Sequence, residues 1–484
     1  MGTKQFDSAT NLITFTRASG GTALRRVGYG PELVTNGTFD TDLTGWNTGF
    51  TSGDGVVGWS NGGATLTSTK NYSADKSSIR QVLNLPAGRY LLSFEAASTD
   101  ASFAWALVGP APGSGSISGN GWWPAGGNGV AEKLVYHTGG NVYFEIRVSG
   151  TTIIDNISVK QIVYDVATDP LVLYNHPINT PRIDHNADGT AKGLLIEEAR
   201  TNLVTYSENF THGSWSKTGL TAAAASETGP DGHASMSTIT VSATTSAHEM
   251  LQGARSVSSN AIISGSFVVR AGTVRYVSVR LYSHIGYWSV AVFDLTTGTL
   301  TQESNGATSG TILNSGIENL PNGLYRLSLT ATNSFNKSYL IAQVHNTGTP
   351  TLNAYGGDTW LGAGETIELG LMQHEVGGFV SSYIPTSGAS ATRAADIASI
   401  PTSDFGYNSD AGSVYVDGTF LNGDTIVTLG STTITADADG NKKYTATYSS
   451  TPSATEIVLN QGTYSDFKYY PRRLSNAQLQ ELTT

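Results

Sequence analysis

LPAGRYLLSFEA, residues Leu85 to Ala96, returns as LPNGLYRLSLTA at Leu320 to Ala331, so that both stretches read L-P-x-G-x-Y-x-L-S-x-x-A. A Pro-Gly turn followed by strict alternation marks a strand leaving a tight turn. Tyr90, Leu92, Phe94 and Ala96 fall on one face, Leu91, Ser93 and Glu95 on the other. Upstream, LVTNGTFDTDLTGW (Leu33 to Trp46) is echoed by LVTYSENFTHGSW (Leu203 to Trp215), with Phe39 and Phe210 one residue out of register. Two related β domains follow, over 31–163 and 201–390. The same period-two pattern runs through Val142, Phe144, Ile146 and Val148, and through Val277, Val279 and Leu281. Each strand thus has one apolar and one more polar face, as in antiparallel sheets half covered by a core. The expectation is an all-β fold of tandem jelly-roll β-sandwiches.

Composition agrees. Charged residues are 13% of the 484, glycines number 56, and 39% of residues are apolar, enough to bury several cores. The net charge of −11 excludes the basic stripe that nucleic acid requires. With no cysteine there is neither a disulfide framework nor a thiolate metal site. No apolar run approaches the roughly 18 residues that span a bilayer, and MGTKQFDSATN lacks the apolar core of a signal peptide. A soluble protein without membrane contact is expected, and one working outside a cell would leave by lysis.

Three shorter regions frame the two domains. Residues 1–30 read as a scaffold or attachment segment. Residues 164–200 read as a connector whose Asn186-Ala187-Asp188-Gly189 turn precedes the apolar Leu194 to Ile196, hence a short hairpin. Residues 391–484 read as a linker and a small β-rich C-terminal domain. In that domain Ser475 and Gln478 form a capping-box signature for one short helix.

Several strings resemble a cassette of tail-fibre, tailspike and head-spike proteins of tailed bacteriophages and gene transfer agents. They are TFTRAS (Thr14 to Ser19), TPRIDH (Thr180 to His185), GLLIEEARTNLVTYSENF (Gly193 to Phe210) and SSYIPTSGASATRAAD (Ser381 to Asp396). FKYYPRRLSNAQLQELTT at the C-terminus is similar to the end of the lectin-like domain that often closes such proteins. Here that domain looks far shorter than the resemblance leads one to expect. Residues 31–163 stand where TFTRAS usually runs on to PRIDH, which implies an inserted domain. Its NGTFDTDLTGW (Asn36 to Trp46) and TTIIDNISVK (Thr151 to Lys160) are similar to the first and last strands of jelly-roll carbohydrate-binding modules. The resemblance implies a virion surface protein that binds host polysaccharide, touches other virion structural proteins and assembles as a homo-trimer. It also implies a structural calcium tying the first strand to the last through the Gly37 backbone and the carboxylates of Asp40 and Asp155; no other cofactor is required.

Sugar recognition needs flat aromatic faces and a few polar partners. Trp122 and Trp123 sit in the glycine-rich SGNGWWPAGGNG, as a stacking platform or as a plug for the sandwich end. Tyr143, Glu145 and Arg147, with Glu95, either line the concave face of the same domain or are solvated sheet surface. Tyr276, Arg280, Tyr282, His284, Tyr287 and Trp288 form the densest aromatic and basic run, fit for glycan contact or a subunit interface. No HExxH, GxSxG, phosphate-cradling loop or cysteine nucleophile is present. The short repeated coils of the β-helix on which phage depolymerases usually rely are absent too. A binding protein is expected rather than an enzyme, with a purely structural virion protein and a polysaccharide-degrading tailspike as alternatives.

Overall fold

The computed structural model describes residues 13–48, 55–60, 62–68, 77–98, 104–111, 128–148, 150–307, 310–449 and 454–483. The chain is all-β, with sheets built from antiparallel pairs and one described α-helix, Asn476–Thr483. At that helix the capping box forms as read: the Gln478 N–H points at Ser475 Oγ (3.4 Å) and Gln478 Oε1 accepts from the Ser475 N–H (3.1 Å). No described helix is long and apolar enough to cross a membrane. Two compact units emerge, Arg26–Pro170 and the remainder, Met1–Arg25 with Leu171–Thr484.

In the first unit, Ser77–Leu85, Gly140–Val148 and Ala104–Gly109 form a three-stranded sheet. The opposing sheet is organised around the long strand Thr151–Tyr164, which pairs with Gly63–Thr67, Gly88–Ser98 and the end of Gly21–Glu32. The alternating apolar residues meet between the sheets: Tyr90, Phe94, Phe144, Ile146, Ile154 and their neighbours share one core. The strands by which the chain enters and leaves are paired, with Val163 opposite Gly28 and Tyr164 opposite Val27. Adjacent ends are the geometry that lets a unit be inserted at a loop.

The larger unit holds two sandwiches. One, over 203–376, stacks a seven-stranded sheet, in which Arg255–Ser256 adds to Lys337–His345 beside the main path, on a six-stranded one. The first runs Trp215–Thr218, Glu249–Gln252, Lys337–His345, Tyr276–His284, Tyr287–Asp294, Thr299–Asn305; the second runs Leu220–Thr228, Ala234–Val241, Thr366–Val376, Ile262–Ala271, Leu324–Thr332, Ile312–Leu320. Phe210, Trp215, Phe267, Val279, Phe293 and Leu329 belong to the core between them.

The other sandwich differs from the sequence expectation. Its strands come from three stretches far apart in the chain. Thr14–Thr16 pairs with Ile397–Pro401, and the hairpin Arg182–His185/Ala191–Ile196 pairs with Gly462–Tyr470. Phe15, Leu194, Ile196, Val414, Ile457 and Tyr464 share its core. The segments read as attachment segment, connector and shortened C-terminal domain therefore build one body of two five-stranded sheets. Strands from the N-terminal and connector stretches thus complete the sheets of the C-terminal one.

At the junction of these two sandwiches, Arg200–Asn202 pairs with Ala391–Arg393, and five charged residues from the four strings converge. Arg17 Nη1 lies 3.0 Å from Asp396 Oδ1, and Arg182 bridges Glu197 (2.8 Å) and Asp396. Arg393 reaches Glu197 at 3.5 Å. All five are buried. Three guanidiniums outnumber two carboxylates, and backbone carbonyls take up further donors: Arg17 alone donates to the carbonyls of Ser19, His176, Pro177 and Thr180. Burial pushes the Glu197 carboxyl up, but Arg182 and Arg393 outweigh it and hold it at about 2.

Candidate functional site

The strand Tyr276–His284 turns Val277, Val279 and Leu281 into the core, which leaves Tyr276, Ser278, Arg280, Tyr282 and His284 on the outer sheet face. Register places Tyr282 between Trp288 and Tyr339 on the flanking strands. The Tyr282 ring lies 5.6 Å from Tyr339 and 6.4 Å from Tyr355, centroid to centroid. At the adjacent hairpin end His284 stacks on Phe335 (5.2 Å, 7° between planes), and Tyr287 meets Phe335 edge-on at 4.6 Å. Tyr355 is 51% exposed, His284 is exposed, and Tyr282, Tyr287, Phe335 and Tyr339 are half-buried. The result is an aromatic platform carried mainly on paired strands, which hold the rings in place at little entropic cost on binding.

Of the residues expected at this surface, Trp288 and Arg280 are buried where the loop 346–358 packs on the sheet, and Tyr276 is half-buried. Trp288 is buried: its indole N–H donates to the Ala354 carbonyl (3.1 Å), and Gly356 passes so close that a Cβ would lie 2.4 Å from the ring. With φ at 75°, Gly356 is also in the region that favours glycine. Arg280 is buried in an ion pair with Glu249 and donates to Gln343 Oε1 at 2.7 Å. Tyr276 is half-buried, with the Arg275 guanidinium 5.0 Å from its ring centre. In exchange the fold adds Tyr339, Tyr355 and Phe335. Tyr339 could have been found from the alternation of SYLIAQVH, and Tyr355 from its glycine-rich setting, NAYGGD.

Beneath the loop, Ser278 Oγ lies 2.8 Å from His345 Nε2, and His345 Nδ1 lies 2.8 Å from Asp358 Oδ1. This is the connectivity of a nucleophile, its base and an orienting acid. Ser278, however, is fully buried, with Val292 and Gln343 opposite it on the flanking strands. An attacking hydroxyl needs an open approach. In this conformation the chain of bonds ties the loop to the sheet, helped by Gln343, which donates to Asp358 Oδ1 (2.9 Å) and the Ala247 carbonyl (2.7 Å).

In the Arg26–Pro170 unit, Tyr143, Glu145 and Arg147 do share one face of the three-stranded sheet. Arg147 grips Glu145 through two bonds (2.8 and 3.3 Å), and Glu145 is buried. The Arg80 guanidinium sits 5.0 Å from the centre of the Tyr143 ring. Glu95 does not join them. It lies on the opposing sheet, pointing away from the core, beside Asp155. Trp122 and Trp123 lie outside the described residues.

For calcium the relevant groups are Gly37, Asp40 and Asp155. The Gly37 carbonyl accepts from the Ile157 N–H (2.9 Å), which ties the opening segment to the last strand without an ion. Partial burial raises the Asp155 carboxyl above its ordinary value; the Asn156 N–H opposes this, and the charges of Glu95 and Asp40 add to it. Among the described residues no group of three His, Cys, Asp or Glu side chains is placed to share a metal ion. A cation here would rest on two carboxylates and backbone oxygens.

No family model matches the chain, and no curated protein matches its sequence. Solved structures similar to it include the N-terminal CBM22-1–CBM22-2 tandem domain of Paenibacillus barcinonensis Xyn10C, at 9% identity and a TM-score of 0.22, covering 72% of this chain and 98% of that one. Infectious bursal disease virus, Gx strain, is similar at 11% and 0.13, covering 96% and 88%. The GH78 family rhamnosidase of Bacillus sp. GL1 follows at 8% and 0.13, covering 89% and 55%. At such scores these likenesses carry no argument about what the chain does.

Proposed function

We propose that this chain is a surface fibre or spike protein of a tailed-phage particle that binds host polysaccharide through the aromatic platform of its 203–376 sandwich. The observation that carries the reading is the cluster of Tyr282, Tyr339 and Tyr355 beside His284, Tyr287 and Phe335. A contiguous, partly open aromatic surface on rigid strands calls for a partner, and tilted rings with hydroxyl edges suit the alternating apolar and polar faces of pyranoses. The phage setting rests on the four strings quoted above, five of whose charged residues form the buried junction. Trimeric assembly, with several trimers on one particle, turns weak single sites into stable attachment. The role is binding without bond cleavage.

The test is pull-down and calorimetric titration with capsular polysaccharide and lipopolysaccharide, followed by sizing of the glycan. Capture without shortening is expected, and the double variant Tyr282→Ala/Tyr339→Ala weakens it by about 1 kcal/mol per ring. Tyr143→Ala, on the other unit, leaves it unchanged. Shortened chains would replace this reading with a depolymerase. Full capture by the double variant would remove the platform from it.

A further inference from the structure

The opposite sheet of the same sandwich bears a second feature of different chemistry. Two adjoining cavities, of about 220 and about 240 Å³, share Glu318, Arg326 and Val380 in their walls. The first is also bounded by Asp184 and Lys192 of the hairpin Arg182–His185/Ala191–Ile196. The second has Asn314, Gly316, Ser328 and Thr330 along the strands Ile312–Leu320 and Leu324–Thr332, with Phe379 beside them. Each is smaller than the roughly 300–1,000 Å³ of a site for a drug-sized ligand, leaving room for a single ring apiece.

The charges on these walls are already matched. Lys192 Nζ sits 3.2 Å from Asp184 and 3.0 Å from Glu318. Arg326 donates to the Ser381 carbonyl (2.7 Å) and to Ser266 Oγ (3.1 Å). An anionic ligand would have to displace carboxylates from Lys192 and sit against Glu318, which costs affinity. The other polar groups are neutral or acceptors: the Asn314 amide, the Ser328 hydroxyl, which donates to the Gly316 carbonyl (3.3 Å), and the exposed Glu318 carboxylate, engaged by Lys192 through Oε1. Phe379 adds a flat surface, held still by the Arg200 guanidinium 4.4 Å from its ring centre. Hydroxyl-matching polar groups beside one immobilised ring are the chemistry of sugar recognition.

We propose that the two cavities form a second glycan subsite, which takes two consecutive uncharged sugar rings and rejects uronic acids. It rests on the reading of the chain as a glycan binder but not on the aromatic platform, which lies on the other sheet.

The test is saturation-transfer NMR on the full chain with a panel of neutral disaccharides (maltose, cellobiose, lactose, chitobiose) and with glucuronic acid. At least one neutral disaccharide should receive saturation, and glucuronic acid none. Asn314→Trp, which fills the second cavity from its exposed rim, and Glu318→Gln should each reduce the signal at least fivefold. Both positions are exposed, so melting temperatures should hold, and either variant serves if the other misfolds. The signal should survive Tyr282→Ala/Tyr339→Ala. Transfer that is lost in the tyrosine variant and kept in both groove variants overturns the subsite while leaving the platform standing. Transfer to no neutral disaccharide, or equal transfer to glucuronic acid, also overturns it. Groove-dependent transfer alongside polysaccharide capture that ignores the tyrosines would keep the subsite and remove the platform.

Discussion

The two sandwiches that share sequence strings begin alike and then part. In one, Phe39 and Trp46 meet at 5.4 Å, and the indole N–H donates to the Asn36 carbonyl at 2.9 Å. In the other, Phe210 and Trp215 meet at 5.0 Å, and the indole donates to the Tyr206 carbonyl at 3.2 Å. The repeated Pro-Gly turn is then used in two ways. After Pro321 the chain doubles back, so that Ile312–Leu320 pairs directly with Leu324–Thr332. After Pro86 it crosses between sheets: Ser77–Leu85 pairs with Gly140–Val148, while Gly88–Ser98 pairs with Asn128–His137 and Thr151–Tyr164. The backbones of the two turns differ at both central positions. Asn322 and Gly323 are both left-handed, at φ 63° and 71°, the pair a tight hairpin needs. Ala87 holds the place of Asn322 and keeps negative φ, because its Cβ resists the left-handed region that Asn tolerates. A repeated string can thus keep its turn and strand while changing which sheet the strand joins.

A second contrast is electrostatic and supplies the largest expected effect. The larger unit is pinned by the buried Arg17, Arg182, Arg393, Glu197, Asp396 cluster. Arg182→Ala removes the guanidinium that bridges both buried carboxylates, leaving Asp396 to Arg17 and Glu197 to Arg393, and should cost about 3–5 kcal/mol. In scanning calorimetry the transition of the larger unit should fall while that of the Arg26–Pro170 unit holds. An equal fall in both would mean that the units melt as one, and the contrast would disappear.

Acid sharpens the same contrast. Burial, with Arg255 adding to it, lowers His374 from 6.5 to about 3. Glu197 is lowered from 4.5 to about 2. Both groups have folded values below their unfolded ones, so the unfolded chain binds protons first and stability is lost as pH falls. The loss should begin below pH 6.5 through His374 and deepen from 4.5 towards 2 through Glu197. Urea midpoints of the larger unit between pH 7 and 4 should decline, and His374→Gln should remove the upper part of that decline. A flat profile would mean that His374 is hydrated in solution.

The turn offers a smaller test. Asn322→Ala should cost about 1–2 kcal/mol by placing a Cβ in the left-handed region without the compensating amide. Ala87→Asn should change stability by less than about 0.5 kcal/mol. Equal effects in thermal melts would show that backbone preference does not separate the two turns.

Strand periodicity made the all-β class legible, because a strand's alternation is written in consecutive residues. The buried junction was not, although every residue in it lies inside a quoted string. Arg17 and Asp396 are brought together only when Thr14–Thr16 pairs with Ile397–Pro401, and no local pattern encodes that pairing. The platform was half legible for the same reason. Tyr282 and Tyr287 could be read from their hairpin, whereas Trp288 looked equally open until the loop 346–358 covered it. Glu95 and Tyr143 lie on different sheets, a separation that no local pattern encodes.

The smallest expected effect concerns Asp155, in the Arg26–Pro170 unit. The strand Thr151–Tyr164 slips register between Asp155 and Ser158, where Asn156 turns left-handed at φ 50°. Just before that irregularity, the regular pairing sets Asp155 opposite Glu95 on the neighbouring strand, with Asp40 near enough to add its charge. Burial and these two charges outweigh the single N–H of Asn156, so the carboxyl holds its proton more tightly folded than unfolded. The sign is therefore opposite to that at Glu197: at neutral pH the ionised Asp155 costs stability, and the cost fades as pH falls below its folded value. Calcium should relieve the same repulsion, as a hard cation taken up by oxygen ligands from two strands. Because the group is partly solvated, screening keeps the gain from charge relief to a few tenths of a kcal/mol. The melting temperature of this unit should thus rise slightly with millimolar calcium. Asp155→Asn should give a similar small rise without calcium and abolish the response to it. A rise with calcium that persists in Asp155→Asn would place the ion elsewhere, and no rise in either case would mean that solvent alone balances the three carboxylates.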